Sequence, residues 1–477
     1  MKQRILEGKT KVVVTLGPSS SSKEILREFF RLGVDVFRLN FSHGSFEEHL
    51  ERINIIRELE EEFGTKVSIL QDLQGPKIRL ETFKDGLAIL KEGSQFILSK
   101  TSVLGDDKTA SLTYPEVLED VKVGDEVYIN DGLVKLKVLA KKEDHVITEV
   151  MQGGEVSDHK GVNFPHSRIQ IKAITEKDLS DLKFGIENGV DIVALSFVRS
   201  KNDVAELRNY MQRFGRLLPI VSKVEKWEAI ENFPEILSES DAVMVARGDL
   251  GVEVPVRKVP LLQKELIKLS NDKGVPVITA TQMLASMTEE QFPTRAEVTD
   301  VANAIFDGSD AVMLSNETAS GKYPVLALSM MRSIIKEVEN SKFFSISIKN
   351  LDPEFYESNL QEVLAKSVKD ITSQFKINLI IVATESGKTA RLISKYKPNV
   401  PILALTPKEE ALRLLNLKWG VFSYLVKPFS SVDEILDYAP KIALELGILS
   451  VGQSYLIACG THTGVSGTTN LIKIDKV

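Results

Sequence analysis

Lys223 and Glu225 stand two residues apart in Ser222-Lys223-Val224-Glu225, so on an extended strand both side chains leave the same face. A second carboxylate, Asp249, lies in Arg247-Gly248-Asp249-Leu250-Gly251, where two glycines let the backbone turn sharply and approach a ligand. Two carboxylates form a hard oxygen set that suits Mg²⁺, which fills its remaining positions with water and substrate oxygens. Each also has a local explanation: Glu225 could pair with Lys223 or Lys226, and Asp249 could cap a helix. A short helix starting here would aim its N–H groups at an anion. Two carboxylates, a lysine, an arginine and a glycine-lined anion seat together specify phosphoryl-transfer machinery.

These residues need elements that bring them to one place. Short apolar runs alternate with amphipathic helical patterns, which predicts βαβ construction. The runs are 12–16, 34–39, 67–70, 192–195, 219–221, 242–245, 275–278 and 311–314. Helical patterns fall at 47–63, 177–186 and 259–269. Between 80 and 159 the period changes to two, with turn signals at Lys84-Asp85-Gly86, Asn130-Asp131-Gly132 and Gly153-Gly154, so an all-β module is inserted there. Three runs before the insert and five after it make the eight of a (β/α)₈ barrel, with an open doubly wound sheet as the competing architecture. The expected division is barrel 1–79, lid 80–159, barrel 160–342 and a C-terminal α/β unit 343–477 with runs at 379–382, 402–405, 424–426 and 455–458. The polar stretch 340–350 reads as a linker, and no internal repeat is visible.

In a barrel, chemistry collects where strands give way to their loops. Those positions here carry Arg38, Asn40, Ser42 and His43 (strand two), Asp72 (three), Ser196 (four), Lys223 and Glu225 (five), Arg247 and Asp249 (six), Thr281 (seven) and Glu317 (eight). Strand ends meet water and are often polar, which explains any one of these. The set is harder to explain, because converging charges are costly unless they bind something.

Composition excludes several other classes. The 477 residues are 43% hydrophobic and 27% charged, with net charge −7 and no long basic block, so neither nucleic acid nor an anionic membrane is an expected partner. One cysteine, Cys459, excludes an internal disulfide and a cysteine-rich metal site; it reads as a small buried hydrophobe. The six histidines never fall at zinc-ligand spacing. With no apolar leader at the N-terminus and no bilayer-length run, a cytoplasmic location is expected.

Phe37-Arg38-Leu39-Asn40-Phe41-Ser42-His43-Gly44, Ser222-Lys223-Val224-Glu225, Met244 to Gly251, Ala280-Thr281-Gln282-Met283, Pro293-Thr294-Arg295-Ala296-Glu297 and Asp300-Val301-Ala302-Asn303-Ala304 resemble the pyruvate kinase family. The resemblance implies transfer of the phosphoryl group of phosphoenolpyruvate to ADP, giving pyruvate and ATP, in a Mg²⁺-dependent homotetramer in which Mn²⁺ can substitute. It makes Glu225 and Asp249 the metal ligands and Lys223 the cation that stabilises the phosphoryl group in flight. Arg38 becomes the phosphate clamp, and Gly248, Asp249 and Thr281 become further substrate contacts, with the Thr281 hydroxyl positioning a water. Asn40, His43, Arg79 and Lys160 match the nucleotide site. Where family members often carry lysine after strand eight, this chain has Ser320, with Lys322 nearby.

A monovalent-cation site is implied at Asn40, Ser42, Asp72 and the Leu73 carbonyl. Lys77 stands where K⁺-requiring members carry glutamate, so its ammonium is the expected K⁺ substitute and K⁺ is not expected to be required. Thr384, Ser386, Gly387, Lys388 and Thr389 resemble the family's effector pocket for a phosphorylated activator, although a plain capped helix start would look the same; 460–470 resembles its flap. Two alternatives remain: another Mg²⁺-dependent barrel enzyme acting on phosphoenolpyruvate, or a catalytically inactive metabolite-binding scaffold.

Overall fold

The computed structural model describes residues 4–5, 7–165, 167–350, 360–461 and 469–477. Eight parallel strands close into a barrel: β1 (Lys11–Leu16), β2 (Val36–Asn40), β3 (Ser68–Asp72), β4 (Ile192–Leu195), β5 (Ile220–Val224), β6 (Ala242–Ala246), β7 (Val277–Ala280) and β8 (Ala311–Leu314). Lys11 pairs with Ala311 to complete the circle, so the sheet has no open edge. Every strand buries both faces. Val13, Val36, Leu70, Val221 and Met244 fill the interior, while Val12, Val14, Phe37, Val193 and Val243 pack under the surrounding helices. That is why the strands read as unbroken apolar runs rather than alternating ones. The helices start where hydroxyl side chains satisfy free amides: Ser22 accepts from Ile25 N, and Ser45 and Glu48 form a reciprocal capping box.

One regularity escapes the sequence. An aspartate precedes each even-numbered strand and accepts an amide from the first or second residue of the preceding odd one: Asp35 from Val12 (3.0 Å), Asp191 from Ile69 (2.7 Å), Asp241 from Ile220 (2.9 Å) and Asp310 from Val277 (3.1 Å). Each then gathers cations. Asp35 takes Arg4, Lys11 and Arg332, and Asp241 takes Arg208. Arg413, from the C-terminal unit, reaches Asp191, and that unit's Lys397 and Lys418 reach Asp310. The lower rim of the barrel is therefore where that unit docks.

The insert has its own core, including Phe96, Leu136, Val146 and Phe164. Its six-stranded sheet runs Val162–Asn163, Glu126–Ile129, Val134–Lys141, His145–Gln152, Gln95–Ser99 and Thr109–Ser111, and Leu87–Leu90 pairs with Gly154–Ser157 as a separate ribbon. Asn130, Asp131 and Gly132 all take positive φ, as the turn signal predicted.

The C-terminal sheet comprises β9 (Leu379–Ala383), β10 (Ile402–Thr406), β11 (Val421–Leu425), β12 (Ser454–Gly460) and β13 (Thr469–Lys476), in the order β11-β10-β9-β12-β13 with the last antiparallel. β13 was not anticipated. The stretch read as a linker is helix Lys342–Asn350, held because Phe344 packs at 6.1 Å from the Trp419 ring and Ser347 Oγ donates to Phe306 O. Cys459 is buried in the core, and burial pushes its thiol up to about 11. No helix among the described residues is long and apolar enough to cross a membrane.

Candidate active site

Five consecutive strand ends contribute six side chains to a single connected network. Thr15 Oγ1 (β1) accepts from Arg38 Nη1 (β2) at 3.0 Å, and Arg38 Nε donates to Asp72 Oδ2 (β3) at 2.7 Å. Lys223 Nζ (β5) lies 3.2 Å from Asp72 Oδ1 and donates 2.8 Å to the hydroxyl of Ser196, just beyond β4. The same ammonium lies 2.8 Å from Glu225 Oε1. Glu225 Oε2 accepts from Phe197 N at 2.8 Å, a contact that holds Phe197 at a φ of 55°. Period two thus delivers Lys223 and Glu225 to one face, as their spacing predicts.

Burial sets the electrostatics. Asp72 and Glu225 are each 1% exposed. For Lys223 burial alone would favour the neutral amine, but Asp72 and Glu225 outweigh it and raise the ammonium's pKa above its ordinary value. Burial likewise opposes ionisation of Asp72, and Lys223 and Arg38 overcome it, so its pKa is lowered. Glu225 goes the other way. Burial raises its pKa more than Lys223 lowers it, and the nearby charge of Asp249 adds to the rise.

Across the mouth, the helix Arg247–Glu253 begins directly after β6 and carries Asp249 in its first turn. Gly248 N donates to Thr281 Oγ1 at 2.8 Å, and that hydroxyl donates to Ala280 O at 2.7 Å. Thr281 and Gln282 both have positive φ, 68° and 55°, an expensive backbone for a β-branched residue. Arg247 holds the bend by donating to Thr281 O and pairing with Asp300, each at 2.7 Å.

Arg38, Asn40, Lys77, Lys223, Glu225, Gly248, Asp249 and Thr281 line one open cleft of about 700 Å³. Asp72 sits behind it, and the Leu73 carbonyl accepts from Ser196 Oγ at 2.7 Å. Asn40 Oδ1 accepts from Ser42 N. Lys77 is half-buried in the cleft wall and forms no ion pair with Asp72, whose two oxygens face Lys223 and Arg38. His43 is exposed at the rim. Desolvation first, then the cations Arg79, Lys77, Arg38 and Lys177, lower its pKa. Arg79 bridges to Gly161 and donates to His159 O, and Lys160 O accepts from Leu80 N, so both residues sit at the hinge of the insert rather than in the cleft lining. Lys322 pairs with Glu289.

In the C-terminal unit Gly387, at φ 76°, donates its N–H to Thr384 Oγ1. Helix Lys388–Lys395 starts there with Lys388 exposed, while Thr389 is buried against Thr469. Residues 462–468 of the expected flap lie outside the described residues. Sequence reasoning assigned no role to Ser196 or Glu253. The first was within reach, since it ends a strand; nothing local marks the second.

A closed barrel with an inserted sheet, carrying a buried lysine–carboxylate network beside a glycine-started helix, defines a phosphotransferase built on the (β/α)₈ frame. Residues 7–328 match the family described as "Pyruvate kinase, barrel domain", and 362–475 match "Pyruvate kinase, alpha/beta domain". A pyruvate kinase of Clostridium perfringens (strain 13 / Type A) is 45% identical over 472 residues, covering 98% of this chain and 100% of the relative. One from Staphylococcus aureus (strain USA300) is 44% identical over 473 residues, covering 98% and 80%. The chain belongs to the pyruvate kinase family.

Proposed function

We propose that this phosphotransferase moves the phosphoryl group of phosphoenolpyruvate to ADP with a divalent metal held by Glu225 and Asp249, and needs no K⁺. The observation that carries the reading is the convergence of Lys223, Arg38, Glu225, Asp249 and Thr281 on one cleft. The bond between phosphorus and the enol oxygen breaks, a bond to an ADP oxygen forms, and the enolate takes a proton at carbon to become pyruvate. Lys223, kept charged by its two carboxylates, stabilises negative charge on the phosphoryl oxygens and on the enolate oxygen left behind. Arg38, fixed by Asp72 and Thr15, presents its guanidinium from the opposite wall. Thr281 holds the strand-seven bend against Gly248 and orders a water at the carbon to be protonated.

The donor chemistry fits Mg²⁺ or Mn²⁺. Two oxygen ligands face one cleft, and burial, with the charge of Asp249 adding to it, raises the pKa of Glu225, an opposition to its ionisation that a bound divalent cation would relieve. When bound, that cation would supply Lewis-acid neutralisation of substrate oxygens. The cations around His43 suit the phosphates of a nucleotide brought in under the insert, with Asn40, Arg79 and Lys160 alongside. Independence from K⁺ is supported by Asp72, which Lys223 and Arg38 already neutralise, and by the further positive charge of Lys77 in the cleft wall. The exposed start of helix Lys388–Lys395 suits a phosphorylated activator, and exposed Leu261 and Phe292 suit assembly as a homotetramer.

The test is pyruvate release with nucleotide, divalent metal and K⁺ each omitted in turn, alongside Lys223→Met. Release should need ADP and Mg²⁺, and the variant should bind phosphoenolpyruvate nearly normally while turnover falls at least about a hundredfold, the scale for one preorganised electrostatic group. Pyruvate release without ADP, or near-normal turnover of the variant, overturns the reading.

A further inference from the structure

The insert rejoins the barrel through Val162–Asn163, the edge strand of its six-stranded sheet, paired with Ile129 and Tyr128. Asn163 turns its amide away from that sheet: Nδ2 donates 2.9 Å to Glu253 Oε1. Lys226 Nζ donates to the same oxygen at 2.7 Å. Glu253 is 1% exposed and is the last residue of the helix that carries Asp249, while Lys226 directly follows Glu225. One buried carboxylate oxygen therefore ties together three segments: the returning strand of the insert, the Asp249 helix and the Glu225 segment.

Stability alone does not account for this junction. Burying a carboxylate against an ammonium costs as much as it gains, and apolar packing would close the same gap at no electrostatic cost. The second oxygen, Oε2, is buried with no hydrogen-bond partner, a further expense. What the junction does supply is direction. A hydrogen bond near 2.9 Å fails when its partners separate by about 1 Å, so the angle of the insert and the placement of the two carboxylates cannot vary independently.

We propose that Glu253 is a positioning residue that couples the orientation of the inserted domain to the metal-binding geometry of Glu225 and Asp249, through Asn163 on one side and Lys226 on the other. The inference rests on the proposed assignment of those two carboxylates as metal ligands. Coupling of this kind is reciprocal: whatever seats the insert tightens the metal site, and filling the metal site biases the insert. The hinge carries its own reporter. Trp227 follows Lys226, and the Arg168 guanidinium, on the segment leading away from the insert, lies over its ring at 5.6 Å. The other tryptophan, Trp419, is 1% exposed in the core and gives a constant background.

The test titrates Mn²⁺ into the full chain without nucleotide or phosphoenolpyruvate, reading free Mn²⁺ by electron paramagnetic resonance and Trp227 by emission. Asn163→Asp sets acceptor against acceptor and should weaken Mn²⁺ binding about tenfold, the low end of the effect of residues that orient metal ligands. It should also abolish the emission change that Mn²⁺ produces in the parent. Adding Glu253→Gln to Asn163→Asp gives the new carboxylate an amide N–H to accept from, while the amide oxygen still accepts from Lys226, and should bring affinity back to within about threefold of the parent, a recovery that general loosening would not produce. Asn163→Ala, a milder break, should fall between them, and circular dichroism melts establish that each chain is folded. If Asp249→Asn weakens Mn²⁺ binding while Asn163→Asp leaves affinity and emission unchanged, the coupling is overturned and the metal assignment stands. If Asp249→Asn leaves Mn²⁺ binding unchanged, the metal assignment falls and the coupling with it.

Discussion

Asp72 shows how much one buried carboxylate can organise. It is 1% exposed, yet it stays ionised because Lys223 and Arg38 face its two oxygens from β5 and β2. Removing its charge would leave two cations facing each other, which is why the triad stands or falls together. Lys77 belongs to the same electrostatic neighbourhood without touching Asp72; it shares the cleft wall with Asp131 and Asp249. Lys77→Glu would change the local charge by two units and add a further carboxylate beside Asp131 and Asp249, creating a site that a recruited cation would neutralise. The parent should turn over at near-full rate in the absence of K⁺. The variant should lose about tenfold in tetramethylammonium salt and recover in K⁺ at equal ionic strength. Strong K⁺ activation of the parent would refute this account of Lys77.

At the scale of elements, the strand-three loop shows what a turn must satisfy. Gly75 has φ 67°, and an added Cβ would lie 2.8 Å from the Phe197 ring and 3.1 Å from Ser196 Cβ. Gly75→Ala should therefore cost about 2 kcal/mol, read as a lower denaturation midpoint in urea, and should lower turnover by displacing Ser196 from Lys223. A midpoint equal to the parent's would mean that the loop relaxes freely. The barrel strands were legible because both of their faces are buried, so that each reads as an apolar run ended by polar residues. β13 was hidden for the opposite reason: Leu471, Lys473 and Asp475 share one face of a largely exposed edge strand whose order comes from pairing with β12, not from its own composition. Helix Lys342–Asn350 looks polar because its anchor, Phe344, finds its partner Trp419 some 75 residues further along the chain. That Lys223 and Glu225 share one face could be read from their spacing, and that Asp249 falls at a strand end could be read from the apolar run before it. Glu253 could not, since its partner Asn163 lies 90 residues away and no period links them.

At the scale of the molecule, the C-terminal unit docks by pushing cations into the barrel's lower rim. Lys397 and Lys418 share Asp310 at 3.7 and 3.1 Å, all three at most 4% exposed, so one positive charge is in excess. Burial lowers the Lys397 pKa from 10.5 to about 8 against the pull of Asp310, and the Lys418 charge lowers it further. Between those two values the unfolded chain binds the extra proton, so this lysine's contribution to stability rises with pH from about 8 to 10.5; below 8 its full penalty is present. Lys397→Met leaves Asp310 paired with Lys418 and should stabilise the chain by roughly 1 kcal/mol at pH 7, with the advantage shrinking toward pH 10 in parallel melts. A variant less stable than the parent at pH 7 would show that the second cation is needed for docking.

The four aspartates that clip β1 to β2, β3 to β4, β5 to β6 and β7 to β8 divide the barrel into four two-strand modules, each closed by a bond within itself. The boundaries between modules carry no such clip. A circularly permuted chain opened between β4 and β5 keeps every aspartate and its amide on one continuous module, whereas a cut between β5 and β6 makes one of those bonds span the new termini. The insert itself follows β3, inside the second module, and the Asp191 clip at that module's foot holds β3 to β4 across the whole excursion.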